Sequence, residues 1–357
     1  MTLSVLALAH RPWIGRRNTD IRYIRSITGV SSVGDVEVNV PSSLTLDAIA
    51  AVKTVALRIR HESGIDFGYP TDFLSRSEIR ALQRQPKWDV LYTNSAVPRS
   101  GISKPVIRFD YLEDTQRAHS SGDFARNARI KLQVAQYCRL IQVSTRSQAD
   151  TFVGIGVPAT KIHVVPFYLP NLVNGSPELL LKHRQRQSLR VLFVGHQARR
   201  KGLDALLRAL SSSKLERLPI ELTVVSKLLD WKGSIPRPRG VTYHPTLPNP
   251  DVMQLMREAH VLAVPSRRET FGLVYVEAMA AGAIPIMSDG PQQEEIARGG
   301  CGFPVGPDPA AIADSLYTLY ENPELRLSVA ESGFEKVKTT YAPTIVAEQY
   351  REMFRLV

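Results

Sequence analysis

Residues 261–289 read Val261-Leu-Ala-Val-Pro-Ser-Arg-Arg-Glu-Thr-Phe-Gly-Leu-Val-Tyr-Val-Glu-Ala-Met-Ala-Ala-Gly-Ala-Ile-Pro-Ile-Met-Ser-Asp289. The apolar run Val261–Pro265 has the length of a buried strand, and Pro265 and Ser266 end it. A short loop then presents Glu269, Phe271 and Gly272, and the apolar stretch Leu273–Ala281 predicts a helix. A second strand follows at Ile284–Met287. Strand, loop, helix and strand in this order make one unit of a parallel sheet covered by helices.

The same alternation extends in both directions. Upstream, strands are expected at Arg190–Val194, Ile220–Ser226 and Val241–Tyr243, with helices at Gly202–Ser212 and Pro250–Ala259. Downstream come helices near Pro309–Glu321, Glu324–Thr339 and Thr344–Arg355. A first series runs through strands Leu3–Ala9, Val36–Val40, Trp88–Thr93, Pro105–Phe109 and Arg139–Ser144. Helical stretches near Thr19–Ile27, Leu44–Arg60 and Ser121–Gln136 separate several of them. Around Phe167–Ser188 the pattern lapses into Pro-Asn-Leu-Val-Asn-Gly-Ser-Pro and a polar, basic stretch, which reads as a linker or an exposed connecting helix. Two Rossmann-like halves are the economical reading of 357 residues, because single cores rarely grow past about 250–300 residues.

Composition narrows the function classes. With 43% apolar and 22% charged residues the chain is ordinary for a globular protein. Its two cysteines, Cys138 and Cys301, have no metal-ligand spacing and read as buried thiols in a reducing compartment. No apolar run approaches the roughly 20 residues that span a bilayer, and the apolar start lacks a basic leader. The net charge of +11 is uneven: residues 1–165 carry +8 and the remainder +3. A field of that sign favours phosphate-bearing substrates, anionic lipid or nucleic acid without choosing among them. Neither half has Gly-x-Gly-x-x-Gly after its first strand, and the P-loop, His-Glu-x-x-His and Gly-x-Ser-x-Gly signatures are absent.

The physical reading of residues 264–277 points to an anion. Ligands of open α/β sheets sit beyond the carboxyl ends of strands, and helix N-termini offer unpaired N–H groups. Thr270–Val274 therefore has the geometry of a phosphate site, with Gly272 permitting close backbone approach. Glu277, one turn into the helix, is costly to bury unless it meets hydroxyls or a cation, and ribose hydroxyls suit it. Glu269 is placed to accept the hydroxyls of a sugar beside the phosphate.

This stretch resembles the E-x7-E signature of retaining family 4 glycosyltransferases of the GT-B architecture. Val264, Pro265, Ser266, Glu269, Phe271, Gly272, Leu273, Val274, Glu277, Ala278, Met279, Ala280, Gly282 and Pro285 carry the match. Two glutamates at this spacing alone mean nothing; the whole string is specific. A second match is Val191-Leu-Phe-Val-Gly-His-Gln-Ala-Arg-Arg-Lys-Gly202, where the family has strand-Gly-Arg and then Lys-Gly. Gly195, Lys201 and Gly202 carry over, but His196 stands in the place of the arginine. Arg199 or Arg200 is the replacement for phosphate contact, since a neutral histidine serves poorly there. Asp251–Ala259 with the preceding Val241–Leu247 resembles the part that meets the nucleotide base, which brings in Thr246 and Leu247. The resemblance covers about residues 138–357.

The resemblance implies an α/β GT-B fold of two Rossmann-like domains facing a central cleft. An acceptor domain over residues 1–167 and a nucleotide-sugar domain over 168–340 would be followed by a terminal helix, 341–357, crossing back to the first. It implies transfer of a hexose-type sugar from a UDP- or GDP-linked donor to a glycan, lipid or small-molecule acceptor, with retention of anomeric configuration. Glu269, Lys201 and Asp110 are the expected catalytic residues, with no metal and no further cofactor. Asp110 is included because the family's His-Asp pair corresponds here to Arg108-Phe109-Asp110. Either Asp110 serves that place, or the histidine lies elsewhere, or activity is lost. The Gly-Gly loop of the relatives corresponds to Ile14-Gly15-Arg16-Arg17. Gly15, Arg16 and Arg17, with Trp13, Arg22 and Arg25, form either an acceptor or membrane-surface patch or a solvated helix face over a stripe of Ile21, Ile24 and Ile27. A cytoplasmic location, with peripheral contact to an anionic membrane face and no nucleic-acid partner, fits these readings. The alternatives are a non-catalytic basic binding protein on the same scaffold and a nucleotide-sugar epimerase or hydrolase.

Overall fold

The computed structural model describes residues 3–8, 36–39, 74, 76–85, 87–93, 97–109, 121–169, 172, 175–184, 188–232 and 239–357. The chain divides into two compact units, Met1–Pro170 with Pro343–Val357, and Asn171–Ala342. The expected helices Thr19–Ile27 and Leu44–Arg60 lie outside the described residues, as do Asp110 and the Gly15-Arg16-Arg17 stretch.

The first unit holds a parallel sheet of β1 (Leu3–Leu8), β2 (Val36–Asn39), β3 (Val90–Thr93), β4 (Val106–Phe109), β5 (Leu140–Val143) and β6 (Ile162–Val164). Their order is β2-β1-β3-β4-β5-β6. Helices α1 (Arg76–Gln83), α2 (Ser121–Ala135) and α3 (Arg146–Gly154) belong to this unit. Strands β3 and β5 are buried along their whole length, as parallel strands covered on both faces must be. Helix α3 starts where the Thr145 hydroxyl accepts the Gln148 N–H at 3.2 Å.

The second unit repeats the plan with β7 (Leu189–Val194), β8 (Ile220–Val225), β9 (Val241–His244), β10 (Val261–Ala263), β11 (Ile284–Met287) and β12 (Phe303–Pro304). The order is β12-β11-β10-β7-β8-β9, with every pair parallel. Its helices are α4 (Leu203–Leu210), α5 (Asn249–Glu258), α6 (Leu273–Ala280), α7 (Pro291–Ala297), α8 (Pro309–Glu321) and α9 (Pro323–Lys336). The last helix, α10 (Pro343–Arg355), returns to the first unit. There Val346, Ala347, Tyr350, Met353 and Phe354, one helical face, pack with Val5, Val90, Tyr92 and Ile107. Gln142 ties this helix to the sheet, accepting from the Tyr92 hydroxyl at 2.6 Å and pairing its amide with the Tyr350 oxygen at 2.6 Å.

Ammonium groups close several helix ends, where carbonyls lack intrahelical partners and the dipole favours a cation. Lys161 Nζ donates to Ala135 O and Cys138 O behind α2, both at 3.0 Å. Lys336 Nζ reaches Glu295 O, Ile296 O and Arg298 O behind α7 at 2.8–3.0 Å. Lys182 Nζ joins Arg257 O of α5 (2.7 Å) to Ala281 O behind α6 (3.2 Å). Lys182 sits in the stretch that reads as a linker. Pro177–Arg184 is instead a 3-10 helix that buries Leu180, Lys182 and His183. Its polar side chains go inward because helix ends there supply carbonyls to satisfy them.

Both cysteines are buried thiols, donating at 3.4 Å to Val134 O and Arg298 O respectively. Among the described residues, no helix is long and apolar enough to cross a membrane.

Candidate active site in the second unit

Strand order in the second sheet reverses between β7 and β10, so the loops leaving these strands diverge at a topological switch point. The loop after β7 carries Lys201 and the loop after β10 carries Glu269. Their ammonium and carboxylate form an ion pair, with the two side chains only 16% and 11% exposed. Close approach of the lysine stem depends on Gly195, where a Cβ would stand 3.0 Å from Lys201 Cγ.

Two glycines shape these loops. Gly202 caps α4 at φ 84°, and a side chain there would run into the Pro265 carbonyl. Gly272 caps α6 at φ 91°, with the ring of Tyr275 filling the place of any Cβ. The first bond of α6 is Tyr275 N–H to Gly272 O at 2.9 Å. Ahead of it, the N–H groups of Leu273 and Val274 have no acceptor among the described residues, and such a helix start attracts anions.

The two loops are stitched together in three further places. The Arg267 guanidinium grips the Asp204 carboxylate with two bonds of 2.7 and 2.9 Å and also donates to Arg199 O. Burial pushes the Asp204 carboxyl up, but the hydrogen bonds and charge of Arg267 outweigh it and hold the group below its ordinary value. Arg267 N–H donates to Arg200 O at 2.8 Å. The Arg200 guanidinium is committed to Gln197 Oε1 (2.6 Å) and Arg268 O (2.7 Å). Arg199 is exposed, and its guanidinium makes no hydrogen bond or ion pair among the described residues. Of the two arginines considered as replacements at His196, Arg199 is the one left available to a ligand.

Beneath the loops, Tyr275 is fully buried and its hydroxyl donates to Val264 O at 2.8 Å. Burial first, and then the Glu269 carboxylate, push its phenol well above the ordinary range, so it stays protonated. Ser266 is buried in the loop that leaves β10. The Phe271 ring turns into the core, edge-on to Tyr341 at 6.1 Å, and its carbonyl accepts from Gln293 Nε2 at 2.9 Å. Phe271 therefore shapes the loop from inside. Thr270 is exposed, while Leu273, Val274 and Glu277 are half-buried on α6. Thr246 is exposed and Leu247 half-buried in the loop after β9, two strands away from β7. Asp204, Asp230, Arg267 and Tyr275 were not singled out from the sequence. A carboxylate in the first turn of α4 was the one local hint, for Asp204.

Among the described residues, no group of three or more His, Cys, Asp or Glu side chains could hold a metal ion.

Two parallel sheets covered by helices define the class: the chain has the GT-B fold. Solved structures share it over essentially their whole length. The Anabaena protein HepE in complex with UDP-glucose has TM-score 0.69 and 17% identity, with 99% of this chain and 100% of that one covered. Sucrose-phosphate synthase from Thermosynechococcus elongatus has TM-score 0.69 and 17% identity, with 100% and 99% covered. Residues 182–336 match the family model described as Glycosyl transferases group 1, and the second unit carries a domain of that family.

Curated relatives include a D-inositol 3-phosphate glycosyltransferase of Corynebacterium urealyticum, 30% identical over 180 residues, with 46% of this chain and 42% of that protein covered. The phosphatidyl-myo-inositol mannosyltransferase of Mycobacterium tuberculosis H37Rv is 32% identical over 189 residues, 48% of each chain. The similarity thus spans less than half the length of these two relatives.

Proposed function

We propose that the protein is a glycosyltransferase that moves a hexose-type sugar from a nucleotide diphosphate to an acceptor, with retention at the anomeric carbon. The observation that carries this reading is the Lys201–Glu269 pair at the switch point, beside the open N-terminus of α6. The two charges neutralise each other and hold their loops in place. A bound donor exchanges that pairing: its diphosphate takes Lys201, the Arg199 guanidinium and the N–H groups of Leu273 and Val274. Its sugar hydroxyls take Glu269, and its ribose takes Glu277.

When the sugar–phosphate bond breaks, positive charge grows on the sugar and negative charge on the leaving diphosphate. Fixed cations and N–H dipoles stabilise that negative charge directly, so the step asks for no metal and no further cofactor. Retention follows if the acceptor attacks from the face the leaving group vacates. Asp110 is the residue proposed on the acceptor side, with Gly15, Arg16 and Arg17 as an acceptor or membrane patch.

UDP is the donor nucleotide favoured by the HepE structure, which holds UDP-glucose. A GDP-linked sugar is the alternative. The excess positive charge of the first half and the names of the relatives favour an anionic acceptor, such as an inositol phosphate or its lipid form. Buried thiols fit the cytoplasm, where nucleotide sugars are made, with the basic half turned to an anionic membrane face.

Calorimetry with UDP and GDP, followed by transfer assays on Lys201→Ala and Glu269→Ala, tests the reading. Binding of one nucleotide and loss of transfer by at least a hundredfold in both variants is expected. A protein that binds neither nucleotide is a binding module, and sugar release without acceptor would mark a hydrolase.

A further inference from the structure

The loop that carries Lys201 is held from outside by its neighbour, the loop that leaves β8. The backbone N–H groups of Arg199 and Arg200 both donate to the Asp230 carboxylate, at 3.0 and 2.8 Å. Beside them His196 O accepts the Leu229 N–H at 2.8 Å, and His196 Nδ1 accepts the Lys227 N–H at 3.3 Å. Between these contacts Leu228 has φ 53°, alone among the described non-glycine residues in being positive. A leucine adopts that conformation only when its surroundings impose it. Here Ser226 Oγ fixes its N–H at 3.0 Å, and its carbonyl accepts the Trp231 N–H at 3.0 Å. The kink aims the Leu229 N–H and the Asp230 carboxylate at the same partner loop. It leaves the Leu229 side chain 55% exposed, so this residue serves through its backbone.

Successive N–H groups of this kind form a concavity that binds anions, and in this chain a carboxylate from the protein already fills it. Phosphate therefore has no use for these two donors. Their bonds to Asp230 instead fix the turn from which the Lys201 side chain leaves, and from which the Arg199 guanidinium faces solvent.

We infer that Asp230 is a positioning residue for the donor diphosphate, acting through the backbone of Arg199 and Arg200; the inference rests on the proposed donor site. The effect belongs to the diphosphate alone, because Asp230 holds the phosphate-facing loop. Calorimetry with UDP and, by competition, with uridine on the full chain tests it. In Asp230→Ala the UDP dissociation constant should rise about tenfold, a charge-assisted contact's worth, while that of uridine changes less than twofold. Asp230→Asn keeps one acceptor oxygen and should recover part of the loss. Unchanged or tighter UDP binding in Asp230→Ala, or equal losses for UDP and uridine, would overturn the inference. If the unmodified protein binds neither UDP nor GDP, the donor site itself falls and the inference goes with it, a result distinct from the first two.

Discussion

Acid should destabilise the second unit through two histidines at the N-terminal edge of its sheet. His183 and His260 are 0% and 1% exposed, with their rings 5.6 Å apart. His260 Nδ1 accepts the Arg190 N–H at 2.9 Å and its Nε2–H faces Lys182 O at 3.0 Å, so no ring nitrogen is left for a second proton. His183 spends its Nε2–H on Gly282 O at 2.7 Å, and its Nδ1 is buried without a partner. Burial lowers both pKa values from 6.5, and nearby cations add to it: Arg326, Arg190 and Lys182 for His260; Lys182, His260 and Arg326 for His183. The bonds to Gly282 O and Lys182 O oppose the shift, which still reaches about 3 for His183 and about 4 for His260. Lys182, lowered to about 7 by burial and Arg190 against the pull of Glu258, is mostly charged at pH 6.5 and becomes fully so toward pH 5.

The sign follows from which state binds the proton. Unfolded histidine takes it up near pH 6.5 and the folded pair refuses it, so the pair's contribution to stability is full well above 6.5 and falls as the pH drops toward 4. Between pH 6.5 and 5 each histidine costs about 1.5 kcal/mol, about 3 together. Urea titrations at pH 6.5, 6, 5.5 and 5 measure the slope, and His260→Asn isolates one histidine, because the amide oxygen still accepts the Arg190 N–H. Averaged over pH 5 to 6.5, the variant should lose about 1 kcal/mol per pH unit of slope relative to the parent. Identical slopes for the two proteins would refute the reasoning, since every carboxylate contributes equally to both.

Gly202→Ala places a methyl against the Pro265 carbonyl at a left-handed φ and should cost about 3 kcal/mol in urea denaturation; a loss below about 0.5 would mean the loops separate freely. Tyr275→Phe removes the bond to Val264 O and should cost about 1 kcal/mol. Because the phenol is held protonated, the parent's absorbance at 295 nm should show no ionisation of this tyrosine below pH 10, and a titration step that Tyr275→Phe deletes in that range would contradict its burial. Lys336→Met uncaps three carbonyls behind α7 and should lower stability by about 1–2 kcal/mol, whereas no change would show that water replaces the ammonium.

The fold was legible because parallel strands covered on both faces must be short and mostly apolar, as Val90–Thr93 and Leu140–Val143 are. Lys201, Gly202 and Glu269 were legible because a loop between a strand and a helix needs particular residues at fixed local spacing. The partners that hold those loops were not, since nothing local links Arg267 to Asp204, 63 positions apart, or Asp230 to Arg200. The basic stretch around Lys182 and His183 read as solvent-exposed, because polarity in a sequence normally means water. Only the folded chain shows that helix-end carbonyls stand where the water would be. Local order is written in neighbouring residues, while the satisfaction of buried polar groups depends on distant segments brought together by folding.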